Sequence, residues 1–321
     1  MAALKNAALF FKKNLYLILL ILGLYLFYRL LFKVGIDVFL ENLQYAEKSN
    51  ILTAVLVYFF ILLIGLFRWI FLIKMNYPES SIGSLSEVYV LNLFVSNLTP
   101  ARSGDVMLPF MLEGKLSIPK SYSSLVVLLE RSGDLIALII FFLFSFFLWK
   151  GENIIDLDFS AILPGAYLSM VVVFGLFFVT FLVAWLLGFL RRAWVVILNV
   201  FELSKKIGYS AAFFAFFLSF LTWFFHFVKE YLMASAFIDI TFGQNMLCQS
   251  FSVLAALISF VPGGIGVGAV SYAFLAKQMG LDWAGAASSV MFGTVLFTLI
   301  RMSLAVFFNR SLFLMKKHRA L

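Results

Sequence analysis

The chain has 321 residues, of which 64% are hydrophobic and 12% charged, and its mean hydropathy is +1.05. A soluble domain carries about 25% charged residues, so this composition excludes a soluble enzyme and describes a polytopic membrane protein whose hydrophilic stretches are only loop-sized. The formal charge of +8 is distributed as a topology signal rather than as a nucleic-acid surface. One cysteine, Cys248, and two histidines rule out a disulfide framework and argue against a Cys/His metal cluster; no cofactor is implied.

In chain order, Lys5, Lys12 and Lys13 precede an apolar run from Leu15, as in a signal peptide. Arg29 and Lys33 follow where a small-residue cleavage pattern would stand, so the run is read as a retained first helix. Apolar spans are expected over about 15–32, 51–73, 123–148, 162–187, 211–238 and 284–308, each near the roughly 20 residues that cross a bilayer. The intervening stretches 33–50, 74–88, 150–158 and 188–210 read as loops. Two further apolar stretches, about 86–112 and 246–278, are interrupted by Pro and Gly. They either span as kinked helices or dip in and return as re-entrant hairpins.

The distribution of Lys and Arg favours hairpins. If both return to their own side, six spans leave both termini cytoplasmic. The inside segments then hold most of the cations, among them Lys74, Lys115, Lys120, Arg191, Arg192, Lys205 and Lys206, and the outside holds only Lys33, Lys48, Lys150 and Lys277. If both stretches span, this bias mostly vanishes.

An internal repeat accompanies the hairpin reading. A constant offset of 162 residues maps Pro100 onto Pro262, Gly104 onto Gly266, and the triplet Phe67, Arg68, Trp69 onto Lys229, Glu230, Tyr231. Each half holds three spans and one hairpin, so the halves have opposite orientation, a common transporter plan. The expectation is an all-α integral membrane fold. It is a single polytopic domain over 1–321, with about six transmembrane helices, two re-entrant hairpins and inverted-repeat halves at about 10–150 and 160–310.

The polar residues of the broken stretches carry the chemistry. Asn97, Pro100, Arg102, Gly104 and Asp105 fall in the first. Proline stops a helix and glycine lets the chain turn. A helix beginning near Ser103 would offer free N–H groups to an anion beside the Arg102 guanidinium. Arg102 paired with Asp105 is the alternative. In the next span Glu130 and Asp134 share a helix face at i,i+4 and repel unless a cation sits between them or one is protonated. Arg131 lies about 100° round the helix and bridges them poorly, so Arg102, Lys229 or Arg301 is the expected partner. A buried charge network pinning helices and a polar lining met by a substrate both remain open.

In the second half Pro262, Gly263, Gly264, Gly266 and Gly268 cannot form a plain helix. They make either a nest of exposed amides that holds an anion or a contact that lets helices approach closely. No Walker loop and no dinucleotide fingerprint is present. His226, Lys229 and Glu230 lie deep in one span, with His226 and Glu230 on one face. Arg301 lies deep in the last span and is expected to pair with an acid from the other half.

These residues resemble the membrane region of the lysylphosphatidylglycerol synthase family, also called flippase-like proteins. The resemblance covers roughly residues 10–310. It rests on Leu98, Pro100, Arg102, Gly104 and Asp105, on Glu130–Arg131, and on Pro262 to Gly266. Asp105 stands where the family has Glu. Gly268–Ala269 stands where an acid often follows, which weakens any proton or cation role for that segment. The resemblance implies the translocase half without the soluble aminoacyl-transferase domain, and hence not an enzyme. The expected function is translocation of a phospholipid or polyprenyl-phosphate lipid across the cytoplasmic membrane, its phosphate bound at the two hairpin tips. A membrane-embedded head-group transferase, a non-catalytic partner of such an enzyme and a small-ion transporter are the alternatives. A homo-oligomer or a partner enzyme is compatible with all of them.

Overall fold

The computed structural model describes residues 20–150, 205, 208–259 and 261–308, and not the side chains of 97, 98, 100–103, 146, 147, 149 and 150. The expected span at 162–187 and the loop from 151 to 158 lie outside the described residues, as do the side chains of Asn97, Pro100 and Arg102. The described residues are all helical, with no strand.

Helix α1 covers 20–34 and ends at Gly35, whose φ of 88° breaks the backbone before α2, Ile36–Tyr45. The stretch 33–50, read from sequence as a loop, is therefore mostly helical. It has the acids of a solvated segment, but its apolar residues recur at helical spacing. Helix α3, Lys48–Lys74, is 27 residues long, about 40 Å at 1.5 Å per residue. Ala54, Tyr58, Ile61, Gly65, Arg68 and Leu72 recur every three or four residues and form its inward face, while Leu56, Leu63 and Phe67 face outward.

Helix α4, Ile82–Leu98, stops at Thr99, which adopts an extended conformation (φ −106°, ψ 146°) because Pro100 follows. The chain then winds as a 3-10 helix over Pro100–Met107 before α5, Leu108–Leu116. The helix expected to begin near Ser103 thus starts as a tighter 3-10 turn at the proline and becomes α-helical only at Leu108. Gly104 permits the fold-back: a Cβ there would lie 2.8 Å from the Ser96 backbone. Its N–H donates to Thr99 Oγ1 at 2.6 Å. Helix α6, Lys120–Lys150, follows.

In the second half α7 covers Tyr209–Ser235 and α8 covers Phe242–Ser259. A capping box starts α8: Thr241 N–H donates to Gln244 Oε1 and Gln244 N–H to Thr241 Oγ1. Pro262–Gly264 forms a short 3-10 turn, in which Gly263, Gly264 and then Gly266 take φ of 62°, 64° and 80°. Helix α9 covers Val267–Gln278. Helix α10, Trp283–Phe308, is capped by Asp282, which accepts from the N–H groups of Ala284 and Gly285.

Helix α3 packs along α7, α6 lies against α7 and α8, and α10 lies against α4. The two proline turns, Pro100–Met107 and Pro262–Gly264, pack against each other. One apolar core joins Trp69, Leu72, Leu85, Leu112 and Leu129 to Ala211 and Ala215; another joins Ala234, Cys248, Tyr272, Ala276 and Ala286. Helix α1 packs on α9 and α10 through Leu30, Val34, Ala273 and Met291. Among the described residues α3, α7 and α10 are long and apolar enough to cross a membrane. Their outward faces carry large apolar side chains such as Leu63, Phe213 and Leu299, a surface suited to lipid.

Candidate functional site

Arg68, Asn92, Ser96, Asp105, Glu130, Arg131 and Asp134 converge on one cluster between α3, α4, α6 and the first proline turn. Its centre is Arg68 of α3, 3% exposed. One terminal nitrogen of Arg68, Nη2, donates to Glu130 Oε1, and the other, Nη1, donates to Asp134 Oδ1 at 2.8 Å and to Ser219 of α7. The two stacked acids of α6 therefore do have a cation between them. Among the described residues that cation is Arg68, and not the Lys229 or Arg301 expected from sequence; the Arg102 side chain lies outside those described. The inward stripe of α3 aims the side chain at α6, and Gly133 clears the space for Ser219: a Cβ on that glycine would sit 2.6 Å from the Ser219 hydroxyl oxygen.

Arg131 extends the network. Its Nη1 donates to Asp134 Oδ2 at 2.9 Å, an i,i+3 pair. Arg131 thus pairs with one of the two stacked acids, its long side chain reaching along the helix to the next turn, while the bridge between Glu130 and Asp134 is made by Arg68. Its Nε lies 2.7 Å from Asp105 Oδ2, an ion-pair contact whose angle is not that of a hydrogen bond. Asp105 in turn accepts from Asn92 Nδ2 at 2.9 Å and Ser96 Oγ at 2.5 Å, both on α4. The proline turn thus returns its acid to the helix it has just left and joins it to α6. Asp105 and Glu130 are buried, and Arg131 keeps a third of its side chain exposed. Two guanidinium groups face three carboxylates, a formal surplus of one negative charge among the described groups.

Lys229, Glu230 and Arg301 form a second group. Tyr58 of α3, which lines it, is ten residues from Arg68 and so about 15 Å away along the helix. Lys229, 4% exposed, pairs with Glu230 at 2.5 Å, and its ammonium lies 4.1 Å from the Phe297 ring centroid and 5.6 Å from that of Tyr58. Arg301 lies over the same Tyr58 ring at 5.7 Å, and its Nε donates to the Phe297 carbonyl at 3.2 Å. Arg301 was expected to meet an acid; no carboxylate pairs with it among the described residues. Arg301 instead lies over an aromatic face, and Lys229 adds ring contacts to its ion pair with Glu230. His226 lies beside the Trp223 ring.

The second proline turn brings backbone rather than charge. The N–H of Gly264 donates to the Val261 carbonyl at 2.9 Å, so that amide is used within the turn. Gly266 faces α1: a Cβ there would lie 2.3 Å from the Gly23 carbonyl oxygen. Close packing, the simpler of the two readings of these glycines, accounts for Gly266. Among the sequence-derived site residues, Asp105, Glu130, Arg131 and Asp134 are brought together, with Gly104 shaping their turn. Lys229, Glu230 and Arg301 stand apart, and Pro262, Gly263, Gly264 and Gly266 form the turn against which the first turn packs. Arg68 was missed as a site residue. Its signal in the sequence is a lone charge within an otherwise uncharged run from Ser49 to Ile73, and a charge inside a span marks a polar interface.

Helices with lipid-facing outer surfaces around buried ion pairs define an integral membrane protein with transmembrane helices. Residues 16–305 match the model of the lysylphosphatidylglycerol synthase transmembrane region, and the chain belongs to that family. It is 28% identical over 307 residues to a UPF0104 membrane protein of Pyrococcus horikoshii, covering 85% of this chain and 90% of the relative. A UPF0104 membrane protein of Methanocaldococcus jannaschii is 24% identical over 234 residues, covering 65% of this chain and 94% of the relative. No solved structure matches.

Proposed function

We propose that the chain is a lipid translocase of the cytoplasmic membrane that moves a phospholipid or polyprenyl-phosphate lipid and is not itself an enzyme. The observation that carries this reading is the buried ion-pair cluster built at the packed proline turns of a chain that is otherwise apolar. A charge at the bilayer centre costs about 2.5–3.5 kcal/mol on insertion scales, and broken backbone is tolerated at membrane depth only inside protein or along a polar cavity. The head group would pass along this polar seam, meeting Arg102, Arg131 and the turn amides, while its chains stay in lipid.

The same reading takes the two broken segments as re-entrant hairpins in an inverted repeat with six spans and both termini cytoplasmic. Element bounds support it. At the offset that relates Pro100 to Pro262, α3 corresponds to α7, α4 to α8, α5 to α9 and α6 to α10, each within a few residues at its start. The α6–α8 contact has its counterpart in α10–α4, as a two-fold relation requires. In this orientation the Arg68 cluster lies toward the cytoplasmic end of α3 and the Lys229 group toward the external end of α7.

The test is reconstitution into phosphatidylglycerol-containing liposomes with fluorescent phospholipid and polyprenyl-phosphate probes, read by a membrane-impermeant quencher. Crossing by the wild-type protein, lowered in Arg102→Ala and Arg131→Ala at unchanged melting midpoint, is expected. Loss of crossing only in step with loss of folding would assign the cluster to holding helices together. No crossing of any probe by folded wild-type protein would favour a head-group transferase or a partner of one.

A further inference from the structure

The two polar groups differ in the sign of their surplus charge. On the stretches of α3, α7 and α10 that meet around Tyr58, the charged residues are Lys229, Glu230 and Arg301, two cations and one anion. Lys229 is satisfied by Glu230. Arg301 is not neutralised by any described carboxylate, and its one hydrogen bond among those described uses Nε, on its own helix. Its two terminal nitrogens, the planar fork that suits phosphate oxygens, hold no such bond among those described. Arg301 and Glu230 are partly exposed and so are reached from outside the protein, while Lys229 is buried.

We propose that Lys229 and Arg301, set about the Tyr58 ring, form a binding site for the phosphodiester of an anionic membrane lipid, separate from the Arg68 cluster. The formal surplus of one positive charge matches the single negative charge of a phosphodiester. A phosphate monoester, at about −1.5 to −2 near neutral pH, overshoots it. The Arg68 cluster has the opposite surplus and does not supply a free cation among its described groups. Phe297 and Tyr58 keep the site apolar on the protein side, where a charge-assisted hydrogen bond is stronger than in water. The role of this site as the external station on a translocation path rests on the reading above; its affinity for the phosphodiester does not.

The experiment is native mass spectrometry of the purified full-length protein in detergent, titrated with phosphatidylglycerol and, as a phosphate-free control, diacylglycerol. Wild-type protein is expected to bind phosphatidylglycerol in preference to diacylglycerol. Arg301→Gln is expected to weaken one bound phosphatidylglycerol about tenfold, the loss of one charge-assisted pair. Arg301→Lys, which keeps the charge but not the planar fork, is expected to bind between Arg301→Gln and the wild type. The melting midpoint of each variant, measured in parallel, shows that the comparison is between folded proteins. The hydrogen bond and ring contact described for Arg301 are with its own helix backbone and with Tyr58, so both variants are expected to fold.

Equal phosphatidylglycerol binding by wild type and Arg301→Gln would overturn the site. Displacement of the lipid by millimolar inorganic phosphate would assign the site to the free anion and overturn its lipid specificity; retention supports the lipid. If Arg301→Gln loses binding while the wild type moves no lipid across liposomes, this site stands and the translocase reading falls. If the wild type moves lipid and Arg301→Gln binds as the wild type does, only this site falls.

Discussion

Replacing Arg68 by methionine is the sharpest test of the charge cluster. The substitution keeps most of the side-chain volume but removes the cation that Glu130 and Asp134 share, and it leaves the Ser219 hydroxyl without its donor. Breaking a buried ion pair by removing one partner costs about 3–5 kcal/mol, because the remaining charge is stranded in a medium that solvates it poorly. Two carboxylates are stranded here, one of which keeps Arg131, so the upper half of that range is expected. In a thermal melt of detergent-purified protein this corresponds to a midpoint lower by on the order of 10 °C. The companion variant Arg68→Met with Glu130→Gln and Asp134→Asn removes the stranded charges as well. It should recover a large part of the loss, since a neutral site of the same shape carries no ion to desolvate. A single variant as stable as wild type, or a triple variant no better than the single one, would refute the assignment of Arg68 as the counter-ion.

Asp105→Asn keeps the shape and the ability to accept from Asn92 and Ser96 but removes the charge facing Arg131; a loss of about 1–3 kcal/mol is expected in the same melt. Gly266→Ala combines a φ of +80° with a Cβ placed 2.3 Å from the Gly23 carbonyl, so it should cost more than Gly280→Ala, which has φ +74° but open space. The difference between these two alanine variants, about 1–3 kcal/mol, measures the contact of the second turn with α1. Tyr58→Leu removes the ring shared by Lys229 and Arg301 and should destabilise by about 1–3 kcal/mol, with Tyr58→Phe closer to wild type if the ring face, rather than the hydroxyl, carries the interaction.

Much of this protein follows from local rules acting on its sequence. The membrane class rests on uninterrupted apolar runs that no soluble domain could cover. The ends of α4 and α8 follow from Pro100 and Pro262, because a proline constrains its own φ and its predecessor's conformation wherever it stands. The pairing of Glu130 with Asp134 on one face follows from the helical repeat.

The tertiary structure decided which cation answers those acids. Helical spacing places residues on a face of their own helix but does not say which helix that face meets, so Arg68, 62 residues before Glu130, could not be matched to it from sequence. The same holds for the division of the polar residues into two groups. Arg131 and Lys229 are alike in sequence as cations beside a glutamate within an apolar span. Only the packing of α3 against α6 and α7 sets Arg131 between two carboxylates and Lys229 between one carboxylate and two aromatic rings, and with that the sign of charge each group is left to attract.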